Sequence, residues 1–151
     1  MKARIGFSLF AISCVLYTSD FLLREWSLPY AVRRECASNQ MWGRVTAKQS
    51  NLHGANLQNT RLSSSNFDGA NLSTADLSDS NIDAVFMCNA NLKDMQLQGT
   101  TIGYCFFWDS DMRGVKMQRA SVRISQFSRA KMNGADLSGS ISIDAVSTEP
   151  I

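Results

Sequence analysis

Residues 51–80 read NLHGA NLQNT RLSSS NFDGA NLSTA DLSDS, and the same five-residue register runs without a gap to residue 140. Cut this way, residues 51–140 hold 18 units. The second residue of each unit, its centre, is apolar throughout. The centres are Leu52, Leu57, Leu62, Phe67, Leu72, Leu77, Ile82, Met87 and Leu92, then Leu97, Ile102, Phe107, Met112, Met117, Val122, Phe127, Met132 and Leu137. Against a chain that is 44% hydrophobic, such a run arises by chance about 4 times in 10 million, so the repeat decides the fold. Two residues before each centre stands a small residue, Ala, Ser, Thr or Cys105, with Val85, Met95 and Val115 as the large exceptions. One residue before the centre, half of the units carry Asn or Asp.

A period of five fits neither a helix nor a flat strand. On a helix, five residues turn about 500°, so successive centres drift by about 140° and never form a stripe. In a flat strand, successive centres fall on opposite faces. A backbone that turns a corner in every unit keeps all centres inside, and Asn, Asp, Ser and Gly make such corners cheap. Every fourth centre then shares a column: Phe67, Met87, Phe107 and Phe127 form one, and Leu62, Ile82, Ile102 and Val122 another. Side chains of like size recurring at every fourth centre predict four units per turn. The expectation is an all-β, four-sided β-helix of about 4.5 coils, roughly 22 Å tall at ~4.8 Å per layer.

Ala55-Asn56-Leu57, Ala70-Asn71-Leu72, Ala75-Asp76-Leu77, Ala90-Asn91-Leu92 and Ala135-Asp136-Leu137 resemble the A-[DN]-L-x-x pattern of the pentapeptide-repeat family. The resemblance covers residues 51–140 and implies a right-handed quadrilateral β-helix. The chain departs from the pattern at Phe86 and Phe106, where an aromatic residue replaces the polar one before the centre. The two share a column and are expected to point outward.

Outside the repeat, residues 1–26 read MKARIGFSLFAISCVLYTSDFLLREW. Lys2 and Arg4 precede an apolar span at 5–23 whose only charge is Asp20. That is close to the ~20 residues that cross a bilayer, and Trp26 stands where an interfacial anchor belongs. A transmembrane or signal-anchor helix is therefore expected over 1–26. The competing readings are a cleaved signal, with Ala11-Ile12-Ser13 before Cys14, and a helix docked on the prism. Residues 27–49 read as a helical cap over the first coil, shielding its open strand edge. Residues 141–151 leave the five-residue pattern and form a short tail.

Charge and composition narrow the function. The net charge of +2 is too small for a polybasic nucleic-acid binder. One histidine and four scattered cysteines, without Cys-x-x-Cys spacing, argue against a metal site. No phosphate-loop, nucleophile-elbow or zinc-protease motif is present, and a core filled by centres leaves no substrate pocket. The chain is thus expected to be no enzyme, with no cofactor, nucleic acid or small-molecule substrate. His53 reads as a surface residue, and Cys105 as inward packing.

The outer surface carries the remaining signal. Residues 51–112 hold two basic and seven acidic side chains, whereas 113–135 hold Arg113, Lys116, Arg119, Arg123, Arg129 and Lys131 with no acid. Phe86, Phe106 and Trp108 are expected to project outward near one column, as a contact patch. These nine residues are the candidate partner-binding set, weighed against a solvated surface with chance clustering. The function expected is a non-catalytic interaction or scaffold module, held by its apolar span in a membrane. It would be an accessory or assembly subunit of a larger membrane complex, its repeat domain in the periplasm or a lumen. The alternative comes from the resemblance: some pentapeptide-repeat proteins imitate duplex DNA and protect DNA gyrase. That needs a continuous acidic surface, and residues 36–151 instead balance 10 basic against 10 acidic side chains.

Overall fold

The computed structural model describes Asn39 and residues 41–146. The apolar span within 1–26, Cys14, Cys36 and the tail end from 147 onward lie outside the described residues. Six short strands, β1 (Met41–Gly43), β2 (Arg61–Ser63), β3 (Asn81–Asp83), β4 (Thr101–Gly103), β5 (Ser121–Arg123) and β6 (Ile141–Ile143), form one parallel sheet in chain order. Each pairs with the next at an offset of four repeat units, as Leu62 with Ile82 and Ile82 with Ile102. This sheet is the first side of the prism. The second side stacks Thr46, Asn66, Phe86, Phe106, Gln126 and Val146, the third Asn51, Asn71, Asn91, Asp111 and Lys131, and the fourth Asn56, Asp76, Gln96, Lys116 and Asp136. One unit per side and four sides per turn make the coil quadrilateral, and about five turns separate β1 from β6.

Corners explain the period. Every fifth residue from Asn39 to Asp144 has a positive φ, six of them Gly and the others as varied as Arg44, Thr74 and Ile124. On the last three sides the turn is closed by a backbone bond from the small residue to the preceding centre, as Ala75 N–H to Leu72 C=O at 3.0 Å. The Asn or Asp before the centre supports the same turn: its Oδ1 accepts the N–H two residues on, as Asn66 from Asp68 at 2.8 Å and Asp76 from Ser78 at 2.9 Å. This is an Asx turn, and it supplies the reason for the polar residue in the motif. Asn81 lies in a strand of the first side and accepts no such bond.

Inside, 16 of the 18 centres are buried, from Leu52 to Phe127. Columns of like size stack as expected, with the Phe107 and Phe127 rings 4.8 Å apart and 4° from parallel. Small inward sites hold Ala, or a hydroxyl that bonds a backbone carbonyl, as Thr60 Oγ1 to Leu57 C=O at 2.8 Å and Thr100 Oγ1 to Leu77 C=O at 2.9 Å. A buried hydroxyl without such an acceptor would cost about 1–3 kcal/mol.

Two expectations at the ends are corrected. Residues 41–49, assigned to a helical cap, form part of a β coil instead: Met41–Gly43 pairs with Arg61–Ser63, and Thr46 bridges Asn66. Trp42 and Ala47 continue the centres, but no Ala-Asn or Ala-Asp precedes them, so the motif faded where the backbone did not. Residues 27–38 of that cap lie outside the described residues. At the other end, residues 141–146 continue the coil, with Ile141–Ile143 paired to Ser121–Arg123. Ser142 takes the centre there, and on the third and fourth sides, where no further coil stacks among the described residues, Met132 is only partly buried and Leu137 is 44% exposed.

Candidate functional site

The coil-to-coil register places Phe86 directly above Phe106 on the second side. Their rings stack with centroids 4.9 Å apart and planes within 7°. Trp108, two residues on, meets the Phe106 ring edge-on at 5.4 Å and 82°. Its indole Nε1–H donates to Gln126 Oε1 at 3.0 Å, one coil below. Phe86 and Trp108 remain 41% exposed. Three aromatic rings, locked by each other and by Gln126, thus form a rigid apolar ladder open to solvent. Such side chains give up little conformational entropy when a partner covers them.

Polar groups frame this ladder. At the corner beside Trp108, Arg129 Nε and Nη2 each donate to an Asp109 carboxylate oxygen at 2.6 Å. The Arg129 bond holds the Asp109 carboxyl below the usual carboxylate range. Cys88 lies on the same side, its N–H donating to Asp68 Oδ1 at 2.9 Å. Burial, with the nearby Asp68 charge, raises its thiol pKa. Cys105 faces inward and is fully buried, as expected. Burial pushes its thiol up to about 12, and its Sγ lies 3.1 Å from the Gly103 carbonyl oxygen. His53 is exposed, with Nδ1 2.8 Å from Ser73 Oγ.

The six basic residues are all exposed, but they do not gather beside the aromatics. By the stacking register, Arg113 and Lys131 project from the third side, Lys116 from the fourth, and Arg119 from the corner after it. Arg123 ends β5 on the first side, and only Arg129 reaches the second. Arg113 is neutralised by its own neighbour, with Nη2 2.6 Å and Nε 2.8 Å from the Asp111 carboxylate. The basic coil is therefore a belt around the prism, not one patch.

Two exposed apolar residues were missed in sequence. Tyr104 and Ile124 occupy the corner between the first and second sides, at φ 53 and 45. The signal was legible: where corners elsewhere use Gly, a polar residue or Ala84, these two units place a bulky aromatic or aliphatic residue in the same register position. Apart from the end-coil centre Leu137, every large apolar residue exposed among the described residues lies on the first two sides or this corner. Among the described residues no cluster of His, Cys, Asp or Glu could hold a metal ion, and no helix is long and apolar enough to cross a membrane.

Comparison with known proteins agrees with this architecture. Residues 48–83 match the family model "Pentapeptide repeats", in 8 copies. No curated protein matches the chain. Among solved structures, it is similar to HetL of the cyanobacterium Nostoc sp. strain PCC 7120, a pentapeptide-repeat protein involved in heterocyst differentiation regulation. The TM-score is 0.53 at 21% identity over 67% of this chain and 46% of HetL, so the chain spans about half of HetL's length. It is also similar to Rfr23, a pentapeptide-repeat protein of the cyanobacterium Cyanothece 51142, with TM-score 0.51 at 18% identity over 76% of this chain and 90% of Rfr23. At such identities the likeness is one of fold. Residues 48–83 thus carry pentapeptide repeats, and the four-sided coil they belong to has the fold of these pentapeptide-repeat structures.

Proposed function

We propose that this protein is a non-catalytic interaction module that docks a protein partner on its second side, through Phe86, Phe106 and Trp108. The observation that carries this reading is the preorganised ladder: three rings held at 4.9 and 5.4 Å from one another and left open to solvent. The prism interior is filled by side chains, so its usable chemistry lies on the outer sides. Rigid aromatics at the centre of a contact are the usual carriers of binding energy. Arg129 with Asp109 beside them, and the belt of Arg113, Lys116, Arg119, Arg123 and Lys131, supply rim charge that steers encounter.

The apolar span at 5–23 supports a membrane tether, with the prism on the extracytoplasmic side. The partner is then another membrane protein or complex, in which this chain acts as an accessory or assembly subunit. Imitation of DNA fits less well, because exposed cations on every side interrupt any acidic face. The test is affinity purification of the full chain from mild detergent, alongside a triple Phe86→Ser, Phe106→Ser, Trp108→Ser variant. Loss of a specific partner in the variant is expected. Recovery of the same partners would sink the assignment, and potent inhibition of gyrase supercoiling would favour the other reading.

A further inference from the structure

The first side differs from the other three in how its polar side chains are used. Elsewhere the outward residues bond one another along the prism, as Asn91 to Asn71 at 3.1 Å, Ser78 to Gln98 at 3.1 Å and Gln118 to Asp136 at 2.6 Å. Arg61, Asn81, Asp83, Thr101 and Arg123, with Tyr104, instead line an open depression of about 330 Å³ above Gly103. Among the described residues, the side chains of these five polar residues show no hydrogen bond or ion pair. Gly103 is the reason for the depression: its neighbours in the column are Asp83 above and Arg123 below. A Cβ there would stand 3.1 Å from Asp83 Oδ1. A carboxylate and a guanidinium thus sit one layer either side of a bare strand, about 9.6 Å apart along the prism.

We propose that the first side is a homodimer interface in which two antiparallel copies meet about a twofold axis running along β4. That rotation exchanges the layer above Thr101–Gly103 with the layer below. It sets Asp83 of each copy against Arg123 of the other, and Asn81 against Ser121. At the corner it sets Ala84 against Ile124, a small residue against a large one. Charge and size are therefore both complementary about the same axis, as an isologous contact requires. The parallel alternative, with the axis along the prism at the strand centres, sets Asp83 against Asn81 and Arg123 against Ser121, which leaves both charges without an opposite partner. Gly103 lets the two backbones approach where the axis passes.

Ile124 gives an independent reason. It is β-branched, 44% exposed and held at φ 45, a conformation that is an outlier for such a residue. Covering it by a second copy accounts for an apolar side chain at a strained, solvent-facing corner. One side of the prism is about 25 Å tall and about 10 Å across, so the contact is smaller than a standard interface. The dimer is weak and salt-sensitive. The second side stays uncovered, and the proposal does not rest on its docking role.

The test is sedimentation equilibrium of the full chain in density-matched mild detergent, from about 10 µM to about 1 mM. The wild type is expected to show a monomer–dimer equilibrium. Asp83→Arg and Arg123→Asp should each weaken it at least about tenfold, and the double reversal should restore it to within about threefold. A wild type monomeric throughout, single reversals without effect, or a double variant no better than the singles would each overturn the proposal. Should a single reversal unfold the chain, the wild type between about 50 and about 500 mM salt reads the same contact. Weakening of about tenfold supports the proposal, and association indifferent to salt removes it.

Discussion

Phe86 and Phe106 are four repeat units apart in sequence, yet their rings stack at 4.9 Å and 7°, because one turn of the coil returns the chain to the same outward position. An offset pair of this kind adds about 0.5–1.5 kcal/mol beyond its burial. Phe86→Ala should therefore lower unfolding free energy by only about 1 kcal/mol, read by urea titration. If the ladder is a binding hot spot, the same change should cost partner affinity about 2 kcal/mol or more. Equal losses in both measurements would mark the stack as structural only.

Asn71 and Asn81 hold the same motif position and should respond differently. Asn71 Oδ1 accepts from Ser73 N–H at 3.2 Å, Ser73 Oγ at 2.7 Å and Asn91 Nδ2 at 3.1 Å. Asn71→Ala is expected to cost about 1–2 kcal/mol in thermal unfolding. Asn81→Ala, which loses no such bond, should stay within about 0.5 kcal/mol.

Corners offer a test of opposite signs. Ile124 holds a left-handed conformation that L side chains resist by about 1–2 kcal/mol, so Ile124→Gly should stabilise the monomer by about 0.5–1 kcal/mol. Gly114, at φ 69, has Asp94 Oδ1 so near that an added Cβ must displace it. Gly114→Ala should destabilise by about 1–3 kcal/mol. Calorimetric melting of both variants checks the pair.

The buried thiol of Cys105 predicts an alkaline slope. Its pKa stands at about 12 in the folded chain against 9.0 for a free thiol. The unfolded chain then ionises first, so the stabilisation is full below pH 9 and is lost as pH rises through about 12. Cys105→Ala should flatten the fall in melting temperature over that window. At the acid end, Arg129, Arg113 and the Ser138 backbone N–H hold the carboxyls of Asp109, Asp111 and Asp136 low. Stability from these groups is present above their unfolded pKa and fades as pH falls; high salt should mute the two ion-pair contributions.

The turn chemistry of Ala-Asn-Leu units carried the fold in plain view, because each corner is closed by residues within five positions of one another. Where those local signals thin out, the coil was harder to see. Met41–Gly43 presents Trp42 as a centre without a polar partner before it, and Ile141–Ile143 turns its two isoleucines outward around Ser142. Both segments are held as strands by pairing with the neighbouring coil, a constraint that local composition does not carry.

The sequence by itself determined the inside of this protein: the four-unit turn, the burial of the centres and the phenylalanine column. Those depend on periodicity, and periodicity is a property of the chain. Only the tertiary structure decided the outside. It spread Arg113, Lys116, Arg119, Arg123, Arg129 and Lys131 around all four sides, paired Arg129 with Asp109 across one coil, and set Asp83 and Arg123 on either side of Gly103 with no side-chain partner among the described residues. Outward contacts are set between coils, by which side chains reach across a layer of about 4.8 Å, and adjacency in sequence says little about that.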